Sequence, residues 1–360
     1  MPRQAGIVVV VTHSGDSPAF VPGLQLSALF YHEVVAPIVG GVPHCAARLG
    51  WGSDVLGYDT PRSTDHGWGP RVQIFVDEHD VEPVLTRVDA ALPSEFKGWP
   101  TRYGWDGVAP RNWVEVSTFE TWIAGHLGFD PRPSPSFTRW LTTPTQLLLG
   151  LTRGAVFHDP NGHIGAARSA VTWYPDDLWR YALMCAWQRI GQEEHFVGRT
   201  AEVHDDLGSR VLTARLVRDL MKLAFLIERR YAPYSKWFGV EFATLPIASD
   251  LAPLLHAAID ASEFVVREQS LIAAFALCAW STNALGLCTP VDPTPRRFHS
   301  RPFMVLDAVR FVDTLRESIA NPTIRALPAI GMIDQWSDNV DVLTQTELAD
   351  RARHLYGLPD

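Results

Sequence analysis

The sequence predicts a mixed α/β domain followed by an all-helical domain. Short segments in which apolar residues alternate or run together, as in half-buried strands, occur before about residue 165. After about residue 170 the apolar residues recur at helical spacing, and the stretches 130–136 and 289–297 are proline-rich connectors. We therefore expect an N-terminal extension over residues 1–20, an α/β domain over 21–165 and a helical domain over 166–360.

The first half of the chain alternates helical and extended patterns. Leu24, Leu26, Leu29, Phe30 and Val34 lie at helical spacing between flanking Pro and Gly residues. Valine-rich alternation predicts the strands, and Gly154 ends the last helix of this half. The expected elements are a helix over 23–39, strands within 43–50, 71–77 and 112–119, a helix over 142–154 and a strand within 155–163.

The second half contains long segments of helical period and almost no strand pattern. Asp176, Asp177 and Asp250 stand at expected helix starts, where the helix dipole favours carboxylates. The expected helical segments are 176–196, 209–231, 249–280 and 301–320.

Composition restricts the class of function. The chain has 31 basic and 40 acidic side chains, a net charge of −9, which gives no electrostatic reason to bind long nucleic acid or an anionic membrane. The four cysteines are far apart and form no Cys-x-x-Cys pair. The apolar run "GIVVVVT" is too short to span a bilayer and lacks an export pattern. We expect a cytoplasmic protein with a small-molecule ligand, of undetermined oligomeric state.

The strongest candidate site follows the first strand. Gly52 and Ser53 form a pair that allows backbone amides and a hydroxyl to approach phosphate oxygens closely. Asp65 lies twelve residues beyond Ser53, at the expected start of the next strand, and Glu115 lies on the strand after that. Two carboxylates that converge beside Ser53, together with substrate phosphates, are the ligands that Mg²⁺ takes. The sequence thus predicts catalytic metal ligands at Asp65 and Glu115.

These residues resemble a known superfamily. A Gly-Ser pair, a spacer of about a dozen residues, an Asp at a strand start and a later acid are similar to the pattern of polymerase-beta-like nucleotidyltransferases. The segments "LGYDTPRSTDHGWGPR", "WQRIGQEEHFVGR", "RRYAPYSKW" and "GMIDQWSDN" more closely resemble bacterial proteins grouped as domain of unknown function family 4037. The resemblance runs from about residue 21 to the C-terminus. It implies a nucleotidyltransferase-like mixed sheet, with Gly52 and Ser53 holding the triphosphate and Asp65 and Glu115 holding Mg²⁺.

One position departs from the superfamily pattern. A second acid is expected two residues after Asp65, on the same strand face, but the chain has Gly67 there. Three alternatives remain open: Asp54 or Asp59 supplies the missing ligand, one metal is sufficient, or the domain binds nucleotide without turning it over.

The helical half offers further candidates. The resemblance to aminoglycoside and lincosamide nucleotidyltransferases suggests Glu193 or Glu194 as the general base for an acceptor hydroxyl, although both suit an exposed helix face as well. It also suggests Lys236 on the triphosphate and Tyr234 near the base.

Two main functions are therefore expected from the sequence, and nucleotidylation of a polypeptide is a third that the sequence leaves open. The first is Mg²⁺-dependent transfer of AMP from ATP to a small-molecule acceptor, in a cleft between the two domains. The alternative is a nucleotide-binding pseudoenzyme or regulatory scaffold in which Gly67 has reduced or abolished catalysis.

Overall fold

The computed structural model describes residues 18–357 and divides the chain into two compact units. The sheet unit comprises residues up to Phe119 together with Arg153–Ile164. The helical unit comprises Glu120–Thr152 and Gly165 onwards. The expected N-terminal extension over 1–20 lies almost wholly outside the described residues. The expected domain boundary at 165/166 falls beside the observed one at 164/165, but the segment 120–152 groups with the helical unit.

The elements up to residue 170 alternate in type. A π-helical turn, Tyr31–Val35, joins the first two helices, and a 3₁₀ helix spans Pro61–Asp65. In chain order the elements are α1 (Gly23–Phe30), α2 (Ala36–Val39), β1 (Cys45–Arg48), α3 (Ser53–Leu56), β2 (Val72–Phe75), α4 (Glu78–Ala91), β3 (Glu95–Phe96), β4 (Trp99–Pro100), β5 (Arg102–Trp105), β6 (Val108–Asn112), β7 (Val114–Ser117), α5 (Phe119–Leu127), α6 (Phe137–Thr142), α7 (Thr145–Thr152), β8 (Ala155–His158) and α8 (His163–Ala170).

The remaining elements are helices apart from one short strand pair. They are α9 (Asp176–Glu193), α10 (Phe196–Glu202), α11 (Asp206–Ile227), α12 (Ser235–Phe242), α13 (Ala248–Asp260), α14 (Phe264–Ala284), β9 (Arg296–Arg297), β10 (Met304–Val305), α15 (Val309–Ser318), α16 (Pro322–Arg325), α17 (Ile333–Trp336), α18 (Val340–Thr344), α19 (Thr346–Arg351) and a 3₁₀ helix Ala352–Tyr356. The expectation of an all-helical second half is wrong at β9 and β10, which pair antiparallel.

The central sheet has four strands in the order β7-β2-β1-β8. β1 is antiparallel to both of its neighbours, whereas β2 and β7 run parallel, so the sheet is mixed as expected. The strands expected within 71–77, 112–119 and 155–163 are confirmed as β2, β7 and β8. The register pairs Ala47 with Gln73 and Gln73 with Glu115. Because directly paired residues share a face of the sheet, these three residues lie on one face.

The opposite face of the sheet is apolar and forms the core of the sheet unit. Ala46, Val72, Ile74 and Val114 are fully or almost fully buried there. They pack in one cluster with α1, the π-helical turn and α4, whose Val84 and Val88 are the inward side chains. The helix expected over 23–39 is confirmed, with its middle turn widened into a π-helix. One sheet face therefore supplies stability and leaves the other for polar groups.

The helical unit is built around α9. This helix packs against α11 and α15, and α14 packs against α11 and α13. Trp187 on α9 is fully buried, stacks on Phe311 of α15 and donates its indole N–H to Thr282 of α14. The short α6 and α7 belong to this unit because Arg139 pairs with Asp350 and Thr145 bonds Asp334. These long-range contacts explain why segment 120–152 belongs to the helical unit and not to the expected α/β domain.

Within the described residues, α14 is the one helix long and apolar enough to cross a membrane by length and composition. Leu271, Phe275 and Cys278 on this helix are nevertheless buried in the protein. A core helix of this kind passes the same test, so the finding is weak evidence for a membrane span.

Candidate functional site

The Gly52–Ser53 turn is fixed by a buried ion pair. Arg48, the last residue of β1, binds both carboxylate oxygens of Asp54 at 2.8 and 3.0 Å. Its remaining donors bind the carbonyl oxygens of Leu49 and Trp51, both at 2.6 Å. Both charged side chains are almost completely buried. The pair links the end of β1 to the start of α3 and so holds the turn between them.

Gly52 is required by this pair. Its φ of 141° lies in the region that favours glycine, and a Cβ there would stand 2.0 Å from Asp54 Oδ1 and 2.6 Å from Arg48 Nη2. The fold therefore requires a glycine at position 52 whether or not a phosphate binds nearby. Ser53 begins α3, and its side chain is half-buried.

Glu115 lies beside a neutral amide on the polar sheet face. Gln73 Nε2 donates to Glu115 Oε2 at 3.2 Å and to the Leu49 carbonyl at 3.3 Å, while Gln73 Oε1 accepts the Leu49 N–H at 3.0 Å. Within the described part of the chain, no Lys, Arg or His forms an ion pair with Glu115. The strand position paired with Glu115 is thus occupied by the neutral amide of Gln73.

Arg71 and Tyr103 extend this polar region. Arg71 Nη1 donates to the carbonyl of Gly67 at 2.6 Å, and its guanidinium lies 4.9 Å from the centre of a Trp113 ring. The Tyr103 hydroxyl is buried and has no hydrogen-bond partner. We call Arg48, Asp54, Arg71, Gln73, Tyr103 and Glu115 the polar cluster.

The charges of the polar cluster act on one another. Burial lowers the pKa of Arg71 and Arg48 lowers it further, whereas Tyr103, Asp54 and Glu115 raise it. Burial is also the main cause that raises the pKa of Tyr103, so its hydroxyl stays protonated and available as a donor near neutral pH. Arg48 and Asp54 neutralise each other, which leaves Arg71 and Glu115 as the charges without a direct ion pair in the described structure.

Asp65 does not lie where the sequence predicts. It ends the 3₁₀ helix Pro61–Asp65, seven residues before β2 begins at Val72, so its placement at a strand start is wrong. Its carboxylate is exposed, accepts a hydrogen bond from His66 at 2.7 Å and lies 3.6 Å from Arg62. The bond from His66 is the main cause that lowers the pKa of Asp65. Its role as a metal ligand stays a prediction, without the strand geometry that supported it.

The strand-face argument for Gly67 is also wrong. Gly67 is in a bend with a φ of 60°, so residues 65 and 67 do not alternate along an extended strand. A Cβ at this position would lie 3.9 Å from the Trp105 ring. Of the loop acids, Asp54 is held by Arg48, and Asp59 Oδ2 accepts the N–H of Gly23 and the indole N–H of Trp68. Both loop carboxylates are thus engaged in structural contacts.

The described residues of this region do not supply a full set of protein ligands for a metal ion. Over residues 18–357, no group of three or more His, Cys, Asp and Glu side chains is arranged to hold a metal ion. Mg²⁺ is held by carboxylates, substrate phosphates and waters, and two-metal sites need several convergent carboxylates. Here a single carboxylate, Glu115, adjoins an amide.

Glu194 acts as the cap of a neighbouring helix. Its buried carboxylate accepts the backbone N–H groups of Leu306, Asp307 and Ala308, at 2.7, 3.2 and 2.8 Å, just before α15 begins. Burial raises its pKa to about 7, and the three hydrogen bonds oppose this shift. A pKa near 7 suits a general base. That role stays a prediction, whereas the capping contacts are observed.

Glu193 has a different environment. One carboxylate oxygen lies 2.5 Å from Arg215 Nη2 on α11, and the other is buried without a hydrogen-bond partner. Its predicted role as a general base is therefore not blocked by contacts at the second oxygen, and it also stays a prediction.

Tyr234 and Lys236 lie at the start of α12 in the helical unit. The Tyr234 backbone N–H donates to Gln146 at 3.1 Å, and its side chain is about half exposed. The exposed Lys236 ammonium lies 4.8 Å from a ring centre of Trp237. Lys222 differs from Lys236, because it is mostly buried and donates to the Asp334 carbonyl. Lys236 is thus the more accessible cation.

Four members of the polar cluster were missed by the sequence reasoning: Arg48, Arg71, Gln73 and Tyr103. The available signal was the alternation in "RVQIFVD", where Arg71 and Gln73 are the polar positions of a strand whose other face is apolar. Arg48 and Tyr103 gave no such signal, since their partners are distant in the chain.

The comparisons with known proteins bear mainly on the helical unit. Residues 140–238 match the family described as "Domain of unknown function (DUF4037)". This match supports the DUF4037 family. It covers the end of α6, then α7, β8, α8, α9, α10 and α11, and the start of α12, and it includes Glu193, Glu194, Tyr234 and Lys236. No curated protein and no solved structure matches the chain.

We expect Gly52→Ala to destabilise the protein strongly, because the added Cβ would strike the buried Arg48–Asp54 pair and adopt an unfavourable φ. Gly57→Ala is the matched control, since Gly57 also has a positive φ, of 75°, but nothing within 4 Å of its Cβ position. Urea denaturation should show a loss of about 1 kcal/mol for the control and clearly more for Gly52→Ala. Equal losses would contradict the role of the ion pair.

We expect Glu194 to make stability depend on pH. The folded-state pKa, about 7, lies above the usual value of 4.5, so the folded protein retains the proton longer and loses stability as pH rises between these values. The loss is on the order of 3 kcal/mol, at about 1.4 kcal/mol per pKa unit. Urea denaturation from pH 4.5 to 8 should show this decline in the difference between wild type and Glu194→Gln. A constant difference would show that the pKa is not raised.

Proposed function

We propose that this protein binds a nucleoside triphosphate, ATP in the first instance, through the sheet unit, and acts as a regulatory or scaffold protein with little or no nucleotidyl transfer. The observation that carries the proposal is the pairing of Glu115 with Gln73, which places a neutral amide rather than a second carboxylate beside Glu115. Among the residues that the structure describes, no carboxylate group makes up for it.

The physical reason lies in the charge that a metal-dependent reaction needs. Two divalent cations are held by several convergent carboxylates, which compensate their charge and orient the reacting oxygens. An amide oxygen is neutral and binds Mg²⁺ more weakly than a carboxylate. In addition, Gln73 already uses its oxygen and its nitrogen to bind Leu49, so neither group is free to turn towards a cation.

Nucleotide binding without catalysis does not need several convergent carboxylates. Several groups of the sheet unit could bind a nucleotide. The N–H groups and hydroxyl at Ser53 and the guanidinium of Arg71 are donors for phosphate oxygens. Tyr234 and Lys236 of the helical unit stay predictions for the base and the triphosphate, and both are exposed side chains.

The second candidate function is Mg²⁺-dependent transfer of AMP to a small-molecule acceptor. One observation favours it: Glu115 is held by a neutral amide and by no cation within the described residues, so its charge is available. Asp65 would then be the second ligand and Glu193, with one oxygen unpartnered, the general base. This function needs Asp65 to leave its contact with His66.

ATP binding tests the proposed function. We expect the protein to bind ATP with affinity in the micromolar range, measured by calorimetry, and to do so nearly as well with EDTA as with Mg²⁺. Glu115→Gln should bind ATP equally well or more tightly, because it removes a negative charge near the phosphates. Glu82→Gln, an exposed acid on α4, is the matched control and should change nothing.

Release of pyrophosphate separates the two candidates. With ATP and Mg²⁺ present, the proposed function predicts no release above the rate of the Glu115→Gln variant. Release that requires Mg²⁺ and is lost in Glu115→Gln would establish the second candidate instead. Failure of the wild-type protein to bind ATP under any of these conditions would exclude both.

A further inference from the structure

Tyr103 and Arg71 carry polar groups that the folded chain leaves unused. The Tyr103 hydroxyl is buried and has no hydrogen-bond partner. Arg71 is largely buried, yet the structure shows one hydrogen bond from its guanidinium, to the Gly67 carbonyl, and no ion pair within residues 18–357. An arginine has five N–H donors, so most of its donors remain available.

Unsatisfied groups of this kind work against folding. A buried donor without a partner loses its bonds to water and gains none in return, which is why such groups are rare in native proteins. Phenylalanine at position 103 would fill the same space without that cost. The chain instead places the tyrosine ring directly against Gly69, where a Cβ would lie 2.6 Å from the ring. The close fit holds the hydroxyl in a defined position.

Arg71 is positioned in the same way. The Gly67 carbonyl binds Nη1, and the guanidinium lies over Trp113, whose ring stacks on Trp105 at 4.8 Å between centres. Trp113 in turn donates its indole N–H to the backbone carbonyl of Tyr103 at 2.9 Å. The two polar groups are thus fixed by one framework of aromatic rings. A fixed guanidinium loses less conformational freedom on binding a ligand than a mobile one.

We propose that Arg71 and Tyr103 form a binding position for a phosphate group, which rests on the proposed function in taking the triphosphate of ATP as its source. Arg48 does not compete for the phosphate, because Asp54 neutralises it. Arg71 presents charged donors in a planar fork, which match phosphate oxygens, and the Tyr103 hydroxyl donates one further hydrogen bond. Glu115 is the one acid of the polar cluster without an ion pair in the described structure, and its charge opposes the phosphate.

Tyr103→Phe gives the sharpest test, because a binding role and a structural role predict opposite changes. Removal of an unsatisfied hydroxyl should leave the thermal unfolding midpoint of the free protein unchanged or higher. The same substitution should weaken ATP binding about tenfold, the loss expected for one hydrogen bond to a charged group. Binding of inorganic pyrophosphate should weaken equally, whereas a hydroxyl with no role in binding would leave both affinities unchanged.

Arg71→Gln is the second variant, and Arg111→Gln is its matched control. Arg111 also lies over Trp113, at 4.0 Å from a ring centre, but it is exposed. Each substitution removes one guanidinium charge that lies over the Trp113 ring. We expect ATP affinity to fall at least tenfold for Arg71→Gln and less than twofold for Arg111→Gln. Equal losses would indicate general electrostatic attraction and overturn the proposed phosphate position.

The outcomes separate this inference from the proposed function. If wild type binds ATP and Tyr103→Phe and Arg71→Gln bind it equally well, the phosphate position is wrong and the proposed function stands. If wild type binds pyrophosphate but not ATP, and both variants lose pyrophosphate, the phosphate position stands with free phosphate compounds as its source. If wild type binds neither, both proposals fail. Should Arg71→Gln not fold, Tyr103→Phe alone decides.

Discussion

The buried ion pair between Arg48 and Asp54 is the interaction on which the polar cluster depends. It joins the last residue of β1 to α3 and consumes four donor contacts of one guanidinium within seven residues of chain. A buried pair of this kind adds little net stability, but loss of either partner leaves an uncompensated charge. The pair therefore fixes Leu49, whose backbone groups then position Gln73 and, through it, Glu115.

The elements of the fold follow from local patterns, and the errors have local causes as well. The apolar positions Val72, Ile74 and Val114 predict strands because one face of each strand is buried in an apolar core. Asp65 lies outside the predicted strand because the residues before it form a turn rather than an extended segment. Thr60 and Ser63 form a capping box and Pro61 starts the 3₁₀ helix, which uses up the residues assigned to the start of β2.

The candidate site was less predictable than the fold, since its members find partners that are distant in sequence. Gly52 and Glu115 were recognised, but the pattern could not show that Gly52 makes room for Arg48 or that Glu115 faces Gln73. Tyr103 lies on a short hairpin strand, β5, with no apolar alternation to mark it. Such contacts depend on which distant residues pair in the fold, and this pairing cannot be predicted from the local pattern of a single sequence.

The neighbours of Gln73 explain why an amide, rather than a carboxylate, occupies this strand position. Its oxygen accepts the Leu49 N–H, and its nitrogen donates to the Leu49 carbonyl and to Glu115. A carboxylate at position 73 would accept the first of these bonds but would repel the partially negative carbonyl oxygen of Leu49 and the carboxylate of Glu115. Only a side chain with both a donor and an acceptor satisfies all three neighbours. The present backbone therefore favours a neutral amide, and a metal-binding carboxylate there would require Leu49, and with it the Arg48–Asp54 turn, to move.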